Sequence, residues 1–144
     1  MTREEKAIIY FKEMRKRLCE DHLKICPKDS IAYKATLAEK DFYDTAINVL
    51  EQTRWIPVSE RLPEDLEPVN ITWVNHEPEP YYHDLKDRNF VATGIYYRGK
   101  WYWYSTTCAD YLGEYGSNDI DKVDDAVEIV AWMPLPEPMK VGEK

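Results

Sequence analysis

The sequence has few cysteines, no long apolar run and little positive charge. Its three cysteines, Cys19, Cys26 and Cys108, are sparse and odd in number, which is typical of reduced thiols rather than of a disulfide framework. The apolar runs fall far short of the roughly 20 residues needed to span a bilayer, and the first residues lack the apolar stretch of a signal peptide. We therefore expect a cytoplasmic protein without a membrane partner.

Motifs for nucleotide binding and covalent catalysis are also missing. The chain contains no Gly-x-Ser-x-Gly motif, no phosphate-binding loop and no dinucleotide-binding glycine pattern. Positive charge is scarce as well, because 19 Lys and Arg stand against 27 Asp and Glu, a net charge of −8. Since Lys and Arg must neutralise phosphates, we expect no direct binding to nucleic acid. No cofactor is predicted.

Charge and aromatic content divide the chain near Arg54. Residues 1–54 hold 11 Lys and Arg against 10 Asp and Glu, whereas residues 55–144 hold 8 against 17, a balance of −9. All five Trp lie in the second part. We expect a helical hairpin segment over 1–54 and a small β-rich domain over 55–144. The predicted fold class is α+β, with an antiparallel helix pair packed on a small, mainly antiparallel sheet that has long acidic loops.

The first part shows helical periodicity. Thr2-Arg-Glu-Glu5 has the spacing of a capping box, Pro27 ends the first predicted helix, and Asp29 is expected to cap the second. We expect both apolar stripes to be buried on one side of the sheet. The first stripe is Ile8, Phe11, Met14, Leu18 and Ile25, and the second is Ala35, Ala38, Phe42, Ala46 and Val49 or Leu50.

The second part alternates strand patterns with turn formers. Runs of β-branched and aromatic residues predict strands, and the acidic, turn-rich segments between them predict long loops. The predicted strands are 70–75, 90–97, 101–107 and 127–132, and the predicted loops are 77–80 and 108–126.

Six aromatic rings crowd into the ten residues Tyr96–Ser105. Arg98-Gly99 fits a two-residue hairpin turn, which predicts that Tyr96 faces Trp101, Ile95 faces Tyr102 and Gly94 faces Trp103. The rings then divide between the two sides of the sheet. They are either core beneath the acidic loops or a platform for a partner or a flat ligand. The candidate binding residues are Tyr96, Arg98, Lys100, Trp101, Tyr102, Trp103 and Tyr104.

Two further sets of polar side chains are weaker candidates. Cys19, His22 and Cys26 would share one helical stripe, but structural zinc sites use four ligands. Buried reduced thiols explain these cysteines better, so no metal site is predicted. His76 and His83 stand among carboxylates in a loop, a composition that suits acid–base catalysis and solvated loop charge equally.

Two motifs bracket the acidic part, Trp55-Ile-Pro-Val-Ser-Glu-Arg-Leu-Pro-Glu64 and Ala131-Trp-Met-Pro-Leu-Pro-Glu-Pro138. Together with the Gly99-Lys-Trp-Tyr102 hairpin between them, they resemble the phage and prophage family called domain of unknown function 551, over about residues 55–138. Ala131 stands where members commonly have His. The resemblance implies a phage accessory gene that acts in the bacterial cytoplasm.

The prolines of the first motif have a structural consequence of their own. Proline cannot donate to a strand ladder, so Trp55–Leu62 is expected at an edge of the sheet, where the two motifs meet. Upstream, Asp44-Thr-Ala-Ile-Asn-Val-Leu-Glu-Gln52 resembles a helix found before such domains in phage proteins.

These observations favour a small non-enzymatic phage accessory protein that binds a host protein, to counter host defence, through an acidic and aromatic surface. One alternative is an aromatic pocket that sequesters a small nucleotide signal, with its phosphate on Arg61, Arg88, Arg98 or Lys100. A second alternative is an enzyme that uses His76 or His83 with nearby carboxylates. The sequence leaves a homo-oligomer open.

Overall fold

The structure is a computed structural model that describes residues 1–142. The chain forms two compact units, Met1–Arg54 and the residues from Trp55 onward. Helices in the first unit precede an antiparallel sheet in the second, so the predicted α+β class is confirmed. The elements are α1 (Arg3–Arg17), a π-helix (Leu18–Leu23), α2 (Ile31–Gln52), β1 (Ile56–Pro57), β2 (Pro68–Asn75), a 3-10 helix (Pro80–Leu85), β3 (Asn89–Tyr97), β4 (Lys100–Trp103), α3 (Thr106–Tyr115) and β5 (Val127–Pro134).

The first unit is an antiparallel helix pair. The Thr2 hydroxyl accepts a hydrogen bond from the Glu5 backbone N–H, and the Glu5 carboxylate accepts one from the Thr2 N–H, which confirms the capping box at the start of α1. Two ion pairs join the helices: Lys12 to Glu51 at 2.6 Å and Arg15 to Asp44 at 2.9 Å. From the first ion pair to the second, the residue number increases in α1 and decreases in α2, so the two helices run in opposite directions.

The predicted end of the first helix and the cap of the second need correction. Helical structure stops at Leu23, after a π-helix whose wider turns shift the later residues off the apolar stripe. Ile25 is consequently 77% exposed, although it was expected to be buried. The N-cap of α2 is Ser30, whose hydroxyl accepts a hydrogen bond from the Tyr33 backbone N–H, and not the predicted Asp29.

The buried side of α2 also differs from the prediction. Ile47 is buried and Tyr43 half-buried, whereas the predicted stripe residues Phe42 and Val49 are 63% and 52% exposed. Tyr43 packs against Phe11 of α1, with ring centroids 5.8 Å apart. The helix therefore carries two apolar stripes, and the stripe offset by one residue is the one that faces α1.

Within the described residues the strands form one five-stranded antiparallel sheet in the order β1-β5-β2-β3-β4. The predicted hairpin register is confirmed, because Tyr96 pairs with Trp101, Ile95 with Tyr102, and Gly94 with Trp103. Both turn residues, Arg98 and Gly99, have positive φ, as a type I′ turn requires. The edge position of the first motif is also confirmed, since β1 lies at the end of the sheet, with Ile56 opposite Trp132.

The segment 108–126 is not the long loop that was predicted. The α3 helix occupies Thr106–Tyr115, and β4 stops at Trp103, short of the predicted Thr107. The Ser105 hydroxyl caps the helix by accepting a hydrogen bond from the Cys108 N–H, and Gly116 ends it in the left-handed conformation. Beyond the helix, residues 121–123 lie along the outer edge of β4, where the Trp103 N–H donates to the Asp121 carbonyl and the Val123 N–H to the Trp101 carbonyl.

Candidate functional site

One side of the sheet carries a row of aromatic rings contributed by three adjacent strands. Trp73 of β2 lies opposite Phe90 of β3 at a centroid distance of 4.9 Å, and its indole also meets the edge of Trp103 at 5.3 Å. Tyr96 and Trp101 form a second pair, 5.3 Å apart. All five rings are half-buried. We call these five residues the aromatic face.

The aromatic face includes two residues that the sequence analysis missed. Trp73 and Phe90 belong to the predicted strands 70–75 and 90–97, but the β2–β3 register was not worked out. Alternation places Ala92 and Gly94 on the same side as Tyr96. The same alternation places Phe90 on this side of the sheet. The position of Trp73 can be assigned only from the long-range strand pairing that brings it opposite Phe90.

A buried layer supports these rings. Ile71, Val69 and Ile129 form a core cluster, against which Trp73, Trp101 and Trp103 pack. The space left by the missing Gly94 side chain is filled most closely by Ile71, whose Cδ1 would lie 2.8 Å from an added Cβ. The closest neighbour of this position is therefore an aliphatic side chain on β2.

The Trp73 side chain has an unusual feature. Its Nε1 is buried and has no hydrogen-bond acceptor among the residues that the structure describes. A buried donor without a partner costs about 1–3 kcal/mol, and native structures contain few of them. Packing inside the domain therefore leaves one hydrogen-bond donor of the aromatic face without an acceptor among the described residues.

On the other side of the sheet, α3 packs over β3 and β4. Cys108 and Leu112 of the helix pack on Ile95 and Tyr102, and all four residues are buried. Burial is the main cause that raises the pKa of the Tyr102 phenol and of the Cys108 thiol above their ordinary values. Tyr102 is only 3% exposed and belongs to the core.

The seven predicted binding residues therefore do not form one group. Tyr96, Trp101 and Trp103 share the aromatic face, whereas Tyr102 is buried under α3. Tyr104 follows β4, donates its backbone N–H to the Thr93 carbonyl oxygen and is 37% exposed; alternation places its side chain on the same side as Tyr102 and α3. Of the two cations, Arg98 lies in the hairpin turn and Lys100 is the first residue of β4.

The four predicted phosphate ligands are also dispersed. Three guanidinium groups stack on rings of their own chain: Arg61 over Trp132 at 5.3 Å, Arg88 over Phe90 at 5.6 Å and Arg98 over Tyr97 at 5.0 Å. Only Arg88 of these three lies over a ring of the aromatic face. The fourth ligand, Lys100, lines a cavity beside Trp101.

This cavity is open to solvent and has a volume of about 300 Å³. Trp101 forms part of its wall, and its charged side chains have both signs. Lys100 and Lys122 could attract an anion, but Asp124 and Asp125 line the same space and oppose one. The remaining lining residues are Gly99, Val123, Val127 and Ile129.

His76 is held between two carboxylates at one end of the sheet. Its Nδ1 lies 2.7 Å from Asp87 and its Nε2 lies 2.7 Å from Glu128. The hydrogen bonds to Glu128 and then to Asp87 raise the pKa of His76 above its ordinary value. An imidazole that has both nitrogens engaged by carboxylates is poorly arranged to act as a general base.

His83 lies in the 3-10 helix with separate partners. Its Nε2 is 3.0 Å from Asp84 and its Nδ1 is 3.1 Å from the Pro80 carbonyl oxygen, in an exposed setting. The two histidines that were considered together as acid–base groups therefore pair with different carboxylates.

The three candidate metal ligands in the first unit occupy the π-helix and the turn after it. Cys19 and Cys26 are only half-buried, whereas buried thiols were expected, and His22 is exposed. Within residues 1–142, no group of three or more His, Cys, Asp or Glu side chains is arranged to hold a metal ion.

The two bracketing motifs meet at the β1 edge. Besides the pairing of Ile56 with Trp132, the Trp132 Nε1 donates a hydrogen bond of 2.9 Å to the Arg61 carbonyl oxygen. Trp132 is buried, so the contact between the motifs closes this end of the sheet. Their role in this structure is to hold the fold together.

Fold and site together define a small α+β protein whose antiparallel sheet carries half-exposed aromatic rings on one side and a helix on the other. No helix within residues 1–142 is both long and apolar enough to cross a bilayer. The family model described as "Protein of unknown function (DUF551)" matches residues 54–140, more than half of the chain. The chain belongs to this family, which confirms the resemblance of the bracketing motifs. Comparisons with curated proteins and with solved structures gave no match.

Proposed function

We propose that this protein is a non-enzymatic phage accessory protein that binds a host protein in the bacterial cytoplasm to counter host defence. The aromatic face is the proposed binding surface. The observation that carries the proposal is the contrast between the two sides of the sheet: α3 buries Tyr102 on one side, whereas the five rings on the other side remain half-exposed. The phage setting rests on the family resemblance.

Half-exposed Trp and Tyr rings suit a protein partner. Such side chains combine a large contact area with a polar group, and they are enriched among the residues that dominate binding energy at interfaces. The three Trp rings of the aromatic face pack on the core around Ile71, and Phe90 and Tyr96 pack on Trp73 and Trp101, so little side-chain freedom remains to be lost on binding.

Charge points to a basic partner. Residues 55–144 have a balance of −9, and Asp124 and Asp125 lie next to Trp101 at the cavity. Acidic groups around an apolar patch accelerate the encounter with a positively charged protein. This electrostatic attraction weakens as the salt concentration rises. We therefore expect capture of the host protein to be stronger at low salt than at high salt.

The proposal is tested by affinity capture from host lysate at low and high salt, with Trp101→Ala beside the wild type. Trp101 is half-buried, so the variant should fold, and we expect its recovery of the partner to fall about tenfold or more. Tyr104→Ala, on the α3 side, is the matched aromatic control and should retain capture. Absence of any partner at low salt, or equal loss in both variants, would contradict the proposal.

The cavity beside Trp101 favours a second candidate function, the sequestration of a small nucleotide. Lys100 and Lys122 could contact a phosphate while Trp101 stacks on the base, a contact that contributes about 1–3 kcal/mol. The two aspartates in the same cavity make this candidate weaker. A thermal-shift screen with cyclic and linear nucleotides tests it, and no stabilisation by any of them would eliminate it.

A further inference from the structure

The α2 helix has a second apolar stripe that the helix pair does not cover. Its buried stripe, around Tyr43 and Ile47, faces α1, as shown by the contact of Tyr43 with Phe11. On a different side of the helix, six exposed positions, five of them apolar and one a threonine, follow one another at steps of four and three residues. We call these positions the outer seam: Ile31, Ala35, Ala38, Phe42, Thr45 and Val49.

The spacing of the outer seam is that of a coiled coil. Alternating steps of four and three keep one row of residues facing a partner helix, and they correspond to the a and d positions of a heptad. The large members of the seam are well exposed, with Ile31 at 87% and Phe42 at 63%. The small residues Ala35 and Ala38 allow a close approach between helices.

We infer that the outer seam pairs with the outer seam of a second copy of this chain, in parallel orientation. The argument for orientation is charge. In the heptad, Lys34 occupies position g and Glu39 occupies position e, five residues later. A parallel pair places Lys34 of one copy beside Glu39 of the other, and the two-fold symmetry forms this contact twice.

The antiparallel alternative brings like charges together. When two seams are aligned in opposite directions so that all six positions face each other, residues at e meet e and residues at g meet g. Glu39 then faces Glu39, and Asp41, also at a g position, faces Asp41. Such contacts disfavour the antiparallel pair.

The length of the seam sets the expected strength. From Ile31 to Val49 the outer seam runs roughly 27 Å along the helix axis. This stretch is shorter than the three to four heptads of an independently stable coiled coil. The helix is already held by α1, so it need not fold on association. We expect a dimer with a dissociation constant on the order of micromolar.

Sedimentation over a range of concentrations tests the inference on the intact protein. Wild type should pass from monomer to dimer, and Phe42→Glu should weaken association at least about tenfold. Leu37→Glu introduces the same charge at a half-exposed position outside the seam and is the matched control. A wild type that stays monomeric at every concentration, or a Phe42→Glu variant that dimerises normally, would overturn the inference.

The orientation has its own test in a charge exchange. Lys34→Glu and Glu39→Lys should each weaken the dimer, and the variant with both changes should restore it, because the pair is rebuilt with its signs reversed. Failure of the double variant to restore association would overturn the parallel arrangement. The inference does not depend on the aromatic face, so Trp101→Ala should dimerise like the wild type.

Discussion

An added methyl group at Gly94 should lower the stability of the protein, because the contacts that it would make are defined by the structure. Gly94 lies in the interior of β3 opposite Trp103, and an added Cβ would lie 2.8 Å from Cδ1, 3.3 Å from Cγ2 and 3.4 Å from Cγ1 of Ile71. Ile71 is fully buried in the core cluster on the same side of the sheet, against which the Trp rings of the aromatic face pack. Gly94→Ala must therefore displace Ile71 or bend the sheet.

The net effect follows from two opposing contributions. Overpacking a well-filled core costs about 1–3 kcal/mol, whereas replacing a strand glycine by Ala recovers about 0.5–1 kcal/mol of conformational entropy. We expect Gly94→Ala to lower the free energy of unfolding by about 1–2 kcal/mol. Denaturant titration of the purified protein measures this directly.

A double variant identifies the responsible atom. Ile71→Val removes Cδ1 and alone should cost about 0.5–1.5 kcal/mol. In the Gly94→Ala background the same truncation removes the closest contact. The loss of unfolding free energy in the double variant should therefore be smaller than the sum of the two single losses by about 1 kcal/mol. Additive effects, or a stabilising Gly94→Ala, would refute the packing described for the aromatic face.

Three further outcomes are expected. Because Glu128 and Asp87 raise the pKa of His76, the folded chain holds the imidazole proton more tightly than the unfolded chain does. The stability gained in this way is complete at pH values below 6.5, the ordinary pKa of His, and is lost as the pH rises through the raised pKa. The difference in melting temperature between wild type and His76→Gln should therefore shrink as pH rises, and a constant difference would contradict the ion pairs. Gly113→Ala, in α3 with nothing within 4 Å of the added Cβ, should stabilise the protein by about 0.5–1 kcal/mol in denaturant titration; destabilisation would mean that the helix is packed more closely there. Cys108 is fully buried with a raised pKa, so a thiol reagent should modify it only at the rate of unfolding, and rapid labelling of the native protein would contradict its place under α3.

The β-hairpin could be predicted in detail because its determinants are local. A two-residue turn at Arg98-Gly99 leaves only one register, and alternation then assigns each ring to a side of the sheet. Trp73 could not be assigned to the aromatic face in the same way, since its neighbour Phe90 is reached through a 13-residue connection between β2 and β3. The pairing of His76 with Glu128 spans 52 residues and is equally inaccessible to local patterns.

Two of the helical errors, those at α3 and at the buried side of α2, have different causes. Local signals for α3 were present in the Ser105 cap, the Gly116 terminator and the four-residue spacing of Cys108 and Leu112. The aromatic run before them extended the strand prediction as far as Thr107, and the turn formers after it led to a loop prediction over 108–126. The α2 error arose because the helix has two apolar stripes. Periodicity identifies a stripe without saying which one faces the rest of the unit, and tertiary packing chose the stripe that contains Ile47.

The central claim, that the aromatic face contacts a host protein, is tested most directly by site-specific photo-crosslinking in bacterial cells. A photoreactive phenylalanine placed at position 101 should form an adduct of one defined mass with a host protein, whereas the same group at position 104, on the α3 side, should not. An adduct formed equally from both positions, or only from position 104, would contradict the account.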